Sequence, residues 1–216
     1  MTTLTVPNKS YRRILAFALH QSIKDDCLDE FLSTNDISDV LNITIEQTSV
    51  LGLLALKSDD RGMITLLNKG AVPINTSYDP YDRASTDLVL ILQHCSPKVY
   101  QMAVDRLIDQ SSANILNRIV VSIFGIVHTA DNYCMGFKYL LSKLDKVINY
   151  QSCIESLIDV AYELYQKKRN PIGFQILFEY SIQLGSELNS ILESEPDLKT
   201  LYDSYQIPIK EPVSTT

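Results

Sequence analysis

The chain has 216 residues, 45% hydrophobic and 21% charged, enough to bury roughly 70% of the surface its unfolded form would expose, so wholesale disorder is excluded and no disulfide or metal staple is needed. With 19 Lys and Arg against 26 Asp and Glu, the formal net charge is -7, which repels phosphate backbones at long range and disfavours extended nucleic-acid binding. Cys27, Cys95, Cys134 and Cys153 are scattered singly with no CxxC, the usage of reduced core thiols in a cytoplasmic or nuclear protein.

At the start of the chain Lys9, Arg12 and Arg13 precede an apolar stretch over 14–19, which looks superficially like a secretory leader but is too short for one. Apolar spacing predicts a helix over 11–23, a second over 26–31 and a short one over 37–41. Asn42 and Ile43 read as a turn. Thr44 with Gln47 fits a capping box opening a helix that runs through Lys57. Asp59, Asp60, Arg61 and Gly62 then form a turn, 63–67 an apolar strand, and Asn68, Lys69 and Gly70 a second turn.

This run, ISDVLNITIEQTSVLGLLALKSDDRGMITLLNKG over 37–70, resembles a winged helix-turn-helix domain. The resemblance implies an N-terminal unit over 1–75 with a small β-hairpin, in which Ile37, Val40, Leu41, Ile43, Val50, Leu53, Leu54 and Leu56 are buried. It also implies that the second helix presents Gln47, Thr48 and Ser49 at its start, with Lys57 and Arg61 nearby, to DNA or to another protein. Residues 1–80 hold seven basic residues against ten acidic ones, so electrostatics favours the protein partner.

Residues 71–83, rich in Pro, Asn, Thr, Ser, Asp and Tyr, read as a linker. Beyond it, 76–205 is expected to form an antiparallel helical bundle or short helical array. Its faces are Val99, Met102, Ala103 and Leu107; then Phe137, Leu140, Leu141, Leu144, Val147 and Ile148; then Ile154, Leu157, Ile158, Ala161, Leu164 and Tyr165; and finally Leu177, Tyr180, Leu184, Leu188 and Ile191 in one helix. The segment 115–127 is apolar nearly all round and is expected to be a central helix, the hub of the core. Ser96 before Pro97 and Asn170 before Pro171 predict helix starts, and Ser152 with Glu155 a capping box. Residues 206–216 read as a flexible tail.

No catalytic, metal-binding or cofactor-binding constellation emerges. His20, His94 and His128 lack partners at ligand spacing, and His94 and Cys95, adjacent on a helix, point about 100° apart. His128, Asp131 and Cys134 crowd one short stretch, where helix capping explains them more simply than nucleophilic catalysis. Walker, GxGxxG and GxSxG motifs are absent. Lys167, Lys168 and Arg169 end a helix, where cations meet the negative end of its dipole; their functional alternative is a patch for an acidic partner. Tyr78, Tyr81, Tyr202 and Tyr205 are read as clamps on chain ends, with an interface role as the alternative. The sequence thus predicts a mainly α, non-enzymatic adaptor or regulatory protein without cofactors or membrane attachment. Its expected partner is another protein, or a second copy of itself; the alternative is a dimeric winged-helix transcriptional regulator.

Overall fold

The computed structural model describes residues 9–46, 48–73, 87–125, 131–144, 150–179 and 186–206. Among them are twelve helices: α1 (Lys9–Lys24), α2 (Leu28–Thr34), α3 (Val50–Leu56), α4 (Asp60–Asn68), α5 (Asp87–His94), α6 (Pro97–Gln110), α7 (Ala113–Phe124), α8 (Asp131–Leu144), α9 (Tyr150–Lys168), α10 (Ile172–Glu179), α11 (Ser186–Ser194) and α12 (Pro196–Gln206). The protein is mainly α. Most of the expected linker and tail, and with them Tyr78, Tyr81 and His128, lie outside the described residues, as does Gln47.

The first helix follows from its spacing. Leu15, Ala16, Leu19, His20 and Ile23 fall on one stripe and are buried, as an amphipathic helix requires. It stops at a left-handed residue, Asp26 at φ +58, where Cys27 N–H donates to Ser22 O at 2.9 Å and Asp26 N–H to Ile23 O at 3.3 Å. The same Schellman pattern closes α3 at Ser58 and α4 at Gly70. Gly70, at φ +103, adopts that conformation without the steric cost a side chain brings.

Between α2 and α4 the structure departs from the expected winged-helix pattern. Residues 38–42 are turns rather than a helix, although Ile37, Val40 and Leu41 are buried as expected. Helix α3 starts at Val50, not at Thr44. Its N-cap is Ser49, whose hydroxyl accepts from Gly52 N–H at 2.9 Å. Ahead of it, Ile45 and Thr48 exchange backbone hydrogen bonds of 2.9 Å each across a tight turn, with Glu46 at φ +51. The predicted strand over 63–67 is helical and belongs to α4. Asp59 caps that helix by accepting from Gly62 N–H at 2.9 Å, and Met63, Leu66 and Leu67 share its buried face. Apart from the Ile45–Thr48 bridge the described residues contain no β pairing, so the expected β-hairpin is replaced by helix. Leu56, expected inside, is 58% exposed.

Helices on either side of residues 74–86 pack against each other. Helix α3 lies against α5, and α5 also meets α6 and α8, so α5 with Leu88, Val89, Ile91 and Leu92 occupies the centre. The expected hub, α7, buries Leu116, Ile119, Val120, Ile123 and Phe124 but leaves Ile115 51% exposed and Arg118 exposed; it is amphipathic and packs mainly on α9. Phe124 stacks on Phe137 of α8 at 5.4 Å between ring centroids. Pairs of consecutive helices, α3 with α4, α5 with α6, α9 with α10 and α11 with α12, lie against each other.

Capping sorts the remaining predictions. Pro97 opens α6 behind Ser96 as expected, although the Ser96 side chain makes no capping bond. Asn170 Oδ1 accepts from Ile172 N–H at 3.1 Å, and α10 begins one residue after Pro171. Ser152 lies inside α9, which starts at Tyr150, so the expected capping box is not at a helix start. The apolar face over 177–191 belongs to two helices, α10 and α11. Near the end of the chain Tyr202 sits edge-on to Phe178 at 5.1 Å and Tyr205 lies 6.0 Å from the same ring, so both hold α12 against α10.

Candidate interaction surface

Most residues singled out from the sequence are used inside the protein. Ser49 is 2% exposed, and its hydroxyl donates to Asp87 Oδ2 at 2.5 Å while accepting from Gly52. Thr48 belongs to the tight turn. Lys57 Nζ donates to Ile23 O at 2.7 Å, to Lys24 O at 3.0 Å and to Asp26 Oδ1 at 2.6 Å, placing a cation on the last carbonyls of α1. Arg61 pairs with Asp29 at 2.8 Å on the surface.

The second cationic group is similarly engaged. Lys167 pairs with Glu163 one turn earlier. Arg169, at φ +50, meets Glu195 Oε2 at 3.2 Å and lies 5.3 Å from the Tyr165 ring centroid. Tyr165 first and then Glu195 raise its pKa further. These residues terminate α9 and join it to the start of α12; Lys168 is exposed beside them. The structure does not bring the two predicted groups together.

Buried polar chemistry is likewise structural. His94 is exposed whereas Cys95 is buried, so the pair diverges as helical geometry requires. Burial, aided by Asp60 and Asp59, pushes the Cys95 thiol up to about 12, which keeps it protonated and unreactive. His20 is 3% exposed, with Nδ1 2.8 Å from Ala16 O and Nε2 2.9 Å from Thr48 O. A neutral ring donates to one of these carbonyls and an imidazolium to both. The residue ties α1 to the turn before α3. No group of three His, Cys, Asp or Glu among the described residues is arranged to hold a metal ion, and no helix among them is long and apolar enough to cross a membrane.

What stands out instead is the outer face of α1. Tyr11, Ile14 and Phe17 are 56%, 68% and 57% exposed; they make up three of the seven large hydrophobic side chains exposed among the described residues, within two turns of one helix. Their spacing of three puts them on a second stripe, roughly opposite the buried one. Beside this stripe Lys9, Arg12, Arg13 and Phe17 face Ile43, Thr44, Ile45 and Glu46 across a cleft of about 620 Å³. Arg12 Nη2 donates to Asp39 Oδ2 at 3.3 Å, while Arg12 Nε is shielded from solvent and has no hydrogen-bond partner among the described residues.

In the sequence these cations are residues ahead of a short apolar stretch, with nothing to mark them as part of a surface. The signal that finds the face is an excess of apolar residues: Tyr11, Ile14, Leu15, Ala16, Phe17, Ala18 and Leu19 are more than one core-facing stripe accommodates. No family model, curated protein or solved structure matches this chain.

Proposed function

We propose that this chain is a non-enzymatic protein-interaction protein, an adaptor or regulator of the cytoplasm or nucleus, whose docking surface is the outer face of α1 with the cleft beside it. The supporting observation is the cluster of Tyr11, Ile14 and Phe17 in water next to a concavity. Burying an Ile or Phe side chain contributes about 1.5–3 kcal/mol, so two such anchors reach the scale of interface hot spots.

The test is recovery of partners from native cells on the tagged full chain, with and without nuclease, followed by reconstitution with the purified partner. Ile14→Ser combined with Phe17→Ser weakens the reconstituted complex by about 2–4 kcal/mol, allowing for the part of each side chain already covered. Met135→Ser, at another exposed apolar position, has no effect. Unchanged affinity of the double variant refutes the assignment of the surface. Recovery that is nuclease-sensitive and falls with salt supports the DNA-reading alternative instead.

A further inference from the structure

We propose that the cleft beside α1 receives an acidic amphipathic segment of a partner protein, its carboxylates against Lys9, Arg12 and Arg13 and its apolar side chains against Phe17, Ile43 and Ile45. The proposal rests on the docking face described above and adds the chemistry of its occupant.

Charge is the first argument. The whole chain carries -7, yet among the described residues three cations and a single anion, Glu46, line this cleft. An acidic segment is attracted here and repelled by the net charge of the rest of the molecule, which directs it to the cleft before contact is made. The second argument is the donors on offer. Arg12 already engages Asp39 through Nη2, whereas Arg13 is exposed and in no ion pair among the described residues. Guanidinium groups bind carboxylates through paired N–H donors.

The apolar lining decides among anionic partners. A nucleic-acid backbone uses the cations but leaves Phe17, Ile43 and Ile45 uncovered, and a lipid surface is too broad to follow a concave wall. A peptide that alternates carboxylates with apolar side chains satisfies both parts of the lining.

The experiment uses the full chain and fluorescence anisotropy with a labelled synthetic helical peptide carrying Leu at i, i+3, i+4 and i+7 and Glu between. Its comparators are an analogue with every Glu replaced by Gln, phosphatidylcholine vesicles containing phosphatidylserine, and a single-stranded oligodeoxynucleotide. The acidic peptide binds about tenfold or more tightly than the Gln analogue, and this margin shrinks as salt rises. Arg13→Glu and Phe17→Ser, both at exposed positions, each weaken it by about tenfold while Met135→Ser does not; circular dichroism confirms that the variants remain helical.

Equal binding of the Gln analogue, still lost in Phe17→Ser, overturns the acidic assignment and leaves the docking face standing. Tighter binding of the vesicles or the oligonucleotide reassigns the cleft and overturns the proposal. Binding that requires removal of residues 1–8 assigns the cleft to the chain's own first residues, with the same result. Absence of binding by every peptide also overturns it, and the reconstituted complex with Ile14→Ser and Phe17→Ser then decides separately whether the face docks anything.

Discussion

Replacing Ser49 with Ala removes two buried bonds at once, and their sum can be worked from the structure. The hydroxyl caps α3 by accepting from Gly52 N–H at 2.9 Å and donates to Asp87 at 2.5 Å from 38 residues away. Loss of a Ser cap costs about 0.5–2 kcal/mol, and loss of a hydrogen bond to a carboxylate about 1.5–3 kcal/mol. Asp87 is itself 3% exposed, so no water replaces the lost donor. Ser49→Ala therefore destabilises by roughly 2–5 kcal/mol, which lowers Tm by roughly 4–20 °C in a chain of this size.

The assay is urea unfolding followed by circular dichroism, with Ser49→Ala, Asp87→Asn and the double variant forming a cycle. A coupling of about 1 kcal/mol or more is expected, because each residue's cost depends on the other. A loss under about 0.5 kcal/mol for Ser49→Ala, or strict additivity in the cycle, refutes the view that this pair fastens the start of α3 to α5.

Two further outcomes follow from local geometry. A Cβ added at Gly62 lies 2.5 Å from Asp59 Oδ2 and 2.8 Å from Leu54 Cδ2, so Gly62→Ala makes these two side-chain ends shift, which offsets alanine's better helix propensity and leaves stability within about 1 kcal/mol of wild type in the same unfolding assay. At Cys95 the folded thiol, at about 12, binds its proton more tightly than the ordinary thiol at 9.0. The folded state holds the extra proton between these values, so stability falls as pH rises through that range. Cys95→Ala flattens this part of the stability curve, and iodoacetamide at pH 8, read by peptide mass spectrometry, modifies wild-type Cys95 only on unfolding.

Local chemistry made some elements readable and concealed others. The Ser96–Pro97 start and the repeat of Val99, Ala103 and Leu107 specify α6 within the segment itself. Residues 63–67 deceived because a short apolar run between turn residues suits a strand as well as a helix; Leu66 beside Leu67 was the clue, since alternation buries only one of them while a helix buries both. Thr44 and Gln47 had the composition of a cap, but Ser49 takes the role through Asp87, a partner that no local pattern reveals. The exposed face of α1 is half legible in the sequence: its cations and apolar residues are plain there, but their separation onto two sides of α1 depends on which side the core occupies.

His20 adds a mechanical consequence to the cleft. It projects from the helix that forms one wall and binds Thr48 O in the turn that forms the other, while Arg12 holds Asp39 close by. The walls are thus cross-braced by contacts made on folding. For a segment docked as proposed, such bracing means that little of the binding free energy is spent on ordering the receptor.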